Sequence, residues 1–267
     1  MQRSDLFLAA YSLVRRSGFL NTPAGKRLFT ASYYVYKRWW EDPFHALAQR
    51  VPALFRGGHI LDVGANLGYC SLVFARAADK GRNVYGFEPE PYNLSSFRET
   101  VRRRGLAQAV FPVHAAVGEV EGTAEIMLND HHHADHRVRT PAGAAVGAQF
   151  QRALTVPAVS IDGFVQRERV SPVAFIKVDV QGYELPVCRG MERTLAANPE
   201  CVVALEYAPD AMREMGFDPE ALMRWCSNQG FRIYTLERNG DLREGIVMSG
   251  REYIDIVLSH KPLQAIA

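Results

Sequence analysis

At 267 residues and 48% hydrophobic, the chain is long enough to bury a full core, most simply as one α/β domain with an extension. With 31 Lys and Arg against 29 Asp and Glu, the net charge of +2 argues against a global field for nucleic acid or an anionic membrane. The four cysteines are scattered without a CxxC pair, which suits reduced thiols in a cytoplasmic protein.

Residues 1–57 are expected to form a helical N-terminal extension to a main domain over 58–267. Ser4 can cap a first helix that Gly18 ends, and Asp42 with Pro43 forms an N-cap and first-turn pair for another. The apolar run over 6–14 is too short to span a bilayer and lacks a small-residue cleavage site, so neither a transmembrane helix nor a signal peptide is expected. Residues 33–40, Tyr-Tyr-Val-Tyr-Lys-Arg-Trp-Trp, interleave aromatics with basic groups. Such a stretch can serve a membrane surface, stack on sugars or bases, or form a homodimer interface. Packing of the aromatics on the domain is the simpler reading and is preferred.

From residue 58 the pattern alternates between strand and helix. The run Ile-Leu-Asp-Val-Gly-Ala-Asn-Leu-Gly-Tyr-Cys-Ser over 60–71 is a strand, a tight turn and the start of a helix. Gly64 and Gly68 lack Cβ and let backbone amides approach a ligand, with Asp62 at the rim. Aligned on Gly64, a GxGxxG fingerprint would need glycine where this chain has Asn66 and Tyr69, which disfavours a pyrophosphate cradle. DxGxNxG instead suits a ligand with an amino-acid end and a nucleoside, such as S-adenosylmethionine. A second strand over 83–87 ends in Glu88, near the distance at which an acid reaches ribose hydroxyls in a βαβ unit. A helix over about 91–104 and a third strand over 110–114 follow, so a parallel sheet with helices on both faces is expected, its ligand at the carboxyl ends of the strands.

Another strand is expected over 124–128, and then His131, His132, His133 and His136 share a short loop with Asp130 and Asp135. The set can bind zinc or a harder divalent ion, form a solvent-facing loop, or cover the active site; adjacent side chains diverge, which favours a loop over a closed metal site. An edge strand over 154–161 precedes a short helix. The most apolar strand, 173–180, is expected at the sheet centre, with Lys177 and Asp179 on one face near the ligand-binding edge. Charges there are costly unless paired or used, and a functional role for Asp179 is favoured. A helix to about Ala197, a fifth strand over 201–207 ending near Glu206, a helix over 218–228 and strands over 231–236 and 253–258 complete the chain.

Four stretches, 62–69, 86–89, 114–118 and 175–184, resemble the FkbM family of S-adenosylmethionine-dependent methyltransferases, over roughly 60–258. The chain departs from the usual pattern with Gln181 in place of glutamate and Tyr183 in place of a small residue. The resemblance implies a Rossmann-like class I methyltransferase fold, a seven-stranded mostly parallel sheet whose last strand is antiparallel. It also implies a cofactor site of Asp62, Gly64, Ala65, Asn66, Gly68, Tyr69, Glu88, Pro89, Ala116 and Val117: the glycine turn around the methionine portion, Glu88 on the ribose, Ala116 and Val117 on the adenine. The implied reaction is O-methylation of a sugar, glycan or secondary-metabolite hydroxyl, while the charge balance leads to the expectation of no nucleic-acid partner. Asp179 is the first choice of general base, with Glu206 or Glu184 assisting. A second mechanism has Asp179 and Glu206 hold Mg²⁺ against the acceptor oxygen. The rivals are a nicotinamide-dependent reductase, weakened by the missing glycine, and an inactive cofactor-binding scaffold in a biosynthetic assembly.

Overall fold

The computed structural model describes residues 22–129, 136–145 and 152–263. The expected helix from Ser4 to Gly18 and the residues His131, His132 and His133 lie outside that range.

The chain enters through helix α1 (Pro23–Tyr36), where Thr22 Oγ1 accepts from Gly25 N at 3.0 Å and Pro23 occupies the first turn. A π-turn over Lys37–Glu41 ends it, closed by Asp42 N donating to Lys37 O at 3.0 Å. Asp42 Oδ1 then accepts from Phe44 N at 2.8 Å, and α2 (Phe44–Arg50) begins where the Asp42 and Pro43 pair places it.

The alternating pattern follows as β1 (His59–Val63), α3 (Tyr69–Ala77), β2 (Val84–Phe87), α4 (Pro91–Arg103) and β3 (Val110–Val113). After an insertion of four strands and α5 (Ile161–Glu168) come β8 (Val173–Val178), α6 (Glu184–Arg189), α7 (Glu192–Ala197) and β9 (Val202–Tyr207). The chain closes with α8 (Pro209–Glu214), α9 (Pro219–Asn228), β10 (Arg232–Leu236), β11 (Leu242–Glu244) and β12 (Ile254–Ser259). The main sheet runs β3-β2-β1-β8-β9-β12-β10-β11. Neighbours from β3 to β9 pair in parallel, and β12 is antiparallel to both β9 and β10. This is the expected seven-stranded, mostly parallel sheet with an antiparallel last strand, plus one short strand added at the edge. β11 escapes a sequence reading because three residues with one buried side chain, Leu242, carry no period.

Alternation along the strands divides the core. Ile60 and Phe175 face the layer holding Phe55 and Phe74, while Leu61 and Ile176 face the layer holding Phe164, Leu185 and Trp225. Phe55 lies 4.6 Å from Phe175 and 5.4 Å from Phe74 between ring centroids, so the N-terminal segment is fastened to the sheet by aromatic packing. Phe29 and Tyr33 join the same layer, as the packing reading of residues 33–40 expects, although Trp39 and Trp40 of that stretch are exposed.

The insertion holds β4 (Ala116–Val117), β5 (Gly122–Leu128), β6 (Arg137–Val138) and β7 (Arg152–Val159) in a second sheet ordered β4-β7-β5-β6. Two expectations change here. The strand read as an edge is flanked on both sides, and it stops at Val159 because Ser160 Oγ accepts from Gly163 N at 3.0 Å and caps α5. The helix expected to run to Ala197 is split into α6 and α7 at Gly190, where any Cβ would strike Gly118 O.

Candidate active site

The carboxyl ends of β1, β2, β8, β9 and the facing end of β12 open into one cavity of about 1090 Å³, closed from above by the N-terminal segment and from the side by the second sheet. At its floor the turn after β1 needs left-handed backbone at three alternate positions. Gly64 has φ 75°, Asn66 φ 51° and Gly68 φ 85°. A Cβ at Gly64 would collide with Asp179 O, and one at Gly68 with the Phe97 ring. The turn is therefore pressed against β8 on one side and α4 on the other.

Gly64, Ala65, Asn66, Tyr69, Glu88, Pro89, Ala116 and Val117 all line the cavity. Asp62 and Gly68 do not; they act beneath it. Asp62, fully buried, accepts from Ser71 Oγ at 2.5 Å and lies 3.7 Å from Lys177 Nζ, tying the turn to β8. Glu88 accepts from Asn66 N and from Glu90 N, each at 2.8 Å, and burial pushes its carboxyl up to about 8. Among the described residues, Asn66 Oδ1 and Tyr69 Oη are buried without a hydrogen-bond partner. Such atoms next to an open cavity suit a polar ligand.

Asp179 stands where β8 ends. Lys177 Nζ donates to its Oδ2 at 3.1 Å and Gln181 Nε2 to its Oδ1 at 3.1 Å. Burial opposes its charge, but Lys177, Lys37 and these hydrogen bonds outweigh burial and hold the carboxyl below its ordinary value. Gln181 Nε2 also donates to Glu206 Oε2 at 3.1 Å, so one amide joins the two strand-end acids. Glu206 is the opposite case: burial first, then Asp179, Glu184 and Asp255, push it well up. Neighbouring carboxylates are thus shifted in opposite directions, Asp179 toward its charged form and Glu206 toward its neutral one.

Glu184 does not line the cavity. It is fully buried and its Oε1 accepts from Val180 N at 3.0 Å and Gly182 N at 3.2 Å, so it braces the loop that carries Asp179 and Gln181. His136 lies on the cavity wall, with its Nδ1 accepting from Asn129 N at 3.1 Å. Among the described residues no group of three or more His, Cys, Asp or Glu is arranged to hold a metal.

Three cavity residues escape a sequence reading. Lys37 reaches it from the π-turn, paired with Glu41 and with Asp179 and Asp42 nearby. Asp255 faces Glu206 across the β9 and β12 ladder, and burial with Asp179 and Asp42 pushes it up to about 7. Its signal was an acid inside the apolar run of the last strand. Gln181 was visible only as a departure from a pattern.

The family described as the methyltransferase FkbM domain matches residues 62–233, from the acid of β1 to β10. The chain belongs to the FkbM methyltransferase family. The chain is 26% identical over 154 residues to the hexuronic acid methyltransferase AglP of Haloferax volcanii, covering 56% of each protein. The chain thus spans about half the length of the curated relative it matches. The crystal structure of the FkbM methyltransferase from Methylobacillus flagellatus KT superposes with a TM-score of 0.51 at 17% identity, over 84% of this chain and 50% of that one. That likeness concerns the fold, the FkbM frame on which the cavity is built.

Proposed function

We propose that this FkbM protein methylates a hydroxyl of a sugar, glycan or secondary metabolite with S-adenosylmethionine, and that Asp179 takes the hydroxyl proton. The observation that carries the reading is that an ionised Asp179 lines the same cavity as Gly64, Asn66 and Glu88. The name of the Haloferax volcanii relative supports a sugar acceptor.

When bound, S-adenosylmethionine supplies a methyl group on a positively charged sulfur. The unpartnered Asn66 Oδ1 and Tyr69 Oη fit such a ligand. Gly64, Ala65, Asn66 and Tyr69 would hold its methionine portion, Glu88 and Pro89 the ribose side, and Ala116 with Val117 the adenine. Alignment of an acceptor oxygen can account for about 7–11 kcal/mol of barrier. Asp179 accepts a hydrogen bond from that hydroxyl, and the hydroxyl becomes strongly acidic as its new C–O bond forms, so even a carboxylate of low pKa receives the proton downhill. Burial and the neighbouring acids favour the neutral form of Glu206, which suits it to offering a hydrogen bond rather than to taking the proton. Residues 22–57, a lid segment over the 58–267 domain, complete the acceptor end with Lys37, Tyr36 and Glu41.

Mg²⁺ between Asp179 and Glu206 does not fit. The Gln181 amide nitrogen donates to both acids, and the Lys177 ammonium occupies the other Asp179 oxygen. A hard cation needs oxygen donors where these N–H groups already stand.

The test compares the native protein with Asp179→Asn on an acceptor found by screening hexosides, amino sugars and hexuronic acids. The variant is expected to keep S-adenosylhomocysteine binding and to lose about 10²–10⁴-fold in turnover, with excess chelator leaving native turnover unchanged. Unaltered turnover in the variant would remove Asp179 from this role. Tight cofactor binding with no turnover on any acceptor would favour the scaffold reading.

A further inference from the structure

A second concavity, of about 840 Å³, lies on the outer side of α1, between it, α3 and α4. Its lining holds six cations, Lys26, Arg27, Arg38, Arg76, Arg103 and Arg104, against the single carboxylate Glu99, which Arg27 Nε contacts at 2.9 Å. For a chain with a net charge of +2 this is a strong local concentration, assembled from three segments distant in sequence. Large apolar side chains project from the same face. Leu28 is 63% exposed, Val35 52% and Trp39 62%. Steps of seven and four residues return to one side of a helix, so the three form a stripe. Arg38 lies over the Trp39 ring at 5.0 Å, and Trp39 O accepts from the Arg238 guanidinium, which fastens the end of the stripe to the main domain.

We propose that this face docks on the anionic surface of a phospholipid bilayer, with the arginines on headgroup phosphates and Leu28, Val35 and Trp39 in the interface. Aliphatic side chains set beside arginines gain nothing from a nucleic-acid backbone or a free phosphate, whereas a bilayer interface takes both the charge and the apolar stripe. No described helix is long and apolar enough to cross a membrane, so the contact is peripheral. The inference stands apart from the methyl-transfer reading, since none of the six cations lines the first cavity.

The experiment floats the full chain with vesicles of phosphatidylcholine alone or with a quarter phosphatidylglycerol, at low and high salt. Two variants are compared, Arg76→Glu with Arg104→Glu, and Leu28→Ser with Trp39→Ser. All four positions are exposed, and a melting curve matching the parent's verifies the fold. The parent is expected to bind the anionic vesicles in a salt-sensitive way, and each double variant to bind about tenfold more weakly or worse. Equal binding to neutral vesicles, no binding to anionic ones, or variants that bind as the parent does would overturn the proposal. So would preference for a single-stranded RNA over the vesicles, or a solution dimer that Leu28→Ser with Trp39→Ser dissociates while vesicles remain unbound.

Discussion

Buried at the end of β2, Glu88 has its carboxyl pushed up from an ordinary 4.5 to about 8, chiefly by burial. A carboxyl raised in the folded state contributes stability that is complete below about 4.5 and is lost as pH climbs through about 8, because the unfolded chain releases the proton first. Glutamine resembles the protonated form and does not titrate. Glu88→Gln is therefore expected to raise the melting temperature of the ligand-free protein more at pH 8.5 than at pH 5.5, relative to the native chain, read from melting curves at both values. A shift independent of pH would contradict the burial argument. Glu88 and Asp179 were legible in the sequence because each ends or interrupts an apolar run, where a charge is costly unless used. Lys37, Gln181 and Asp255 were not. Lys37 reaches the site only because a π-turn follows α1, and Asp255 only because β12 pairs with Glu206 of β9. Glu184 gave a false lead of the same kind: a carboxylate next to a site in sequence that turns inward to brace a loop.

The turn from β1 into α3 is constrained on both sides, by Asp179 O and by the Phe97 ring. Alanine at Gly64 would place a Cβ on Asp179 O while holding φ at 75°, a conformation that costs an L residue about 1–2 kcal/mol before the collision. Since β8 cannot withdraw without disturbing Asp179, Gly64→Ala is expected to lower the melting temperature and weaken S-adenosylhomocysteine binding more than tenfold; native affinity in that variant would mean that the turn does not shape the site. The strands and helices of the main sheet were readable because period-2 apolar runs and glycine or proline punctuation coincide there. The second sheet was read only as separate strands, because pairing Gly122–Leu128 against Arg152–Val159 depends on closure of a long loop that local pattern does not encode. The break at Gly190 was equally hidden, since the backbone it accommodates belongs to Gly118.

Across the molecule, the N-terminal segment serves two faces. Tyr33, Tyr36, Lys37 and Trp40 close the first cavity, while Leu28, Val35 and Trp39 point outward, which is why a single stretch of aromatics and basic residues admitted several readings in the sequence. The central claim is that the cavity over the glycine turn takes S-adenosylmethionine, and calorimetric titration with S-adenosylhomocysteine, NAD and NADP tests it most directly. Saturable binding of S-adenosylhomocysteine alone, abolished by Glu88→Ala, is the expected result. Absence of that binding, or equal binding of a nicotinamide dinucleotide, would contradict the account.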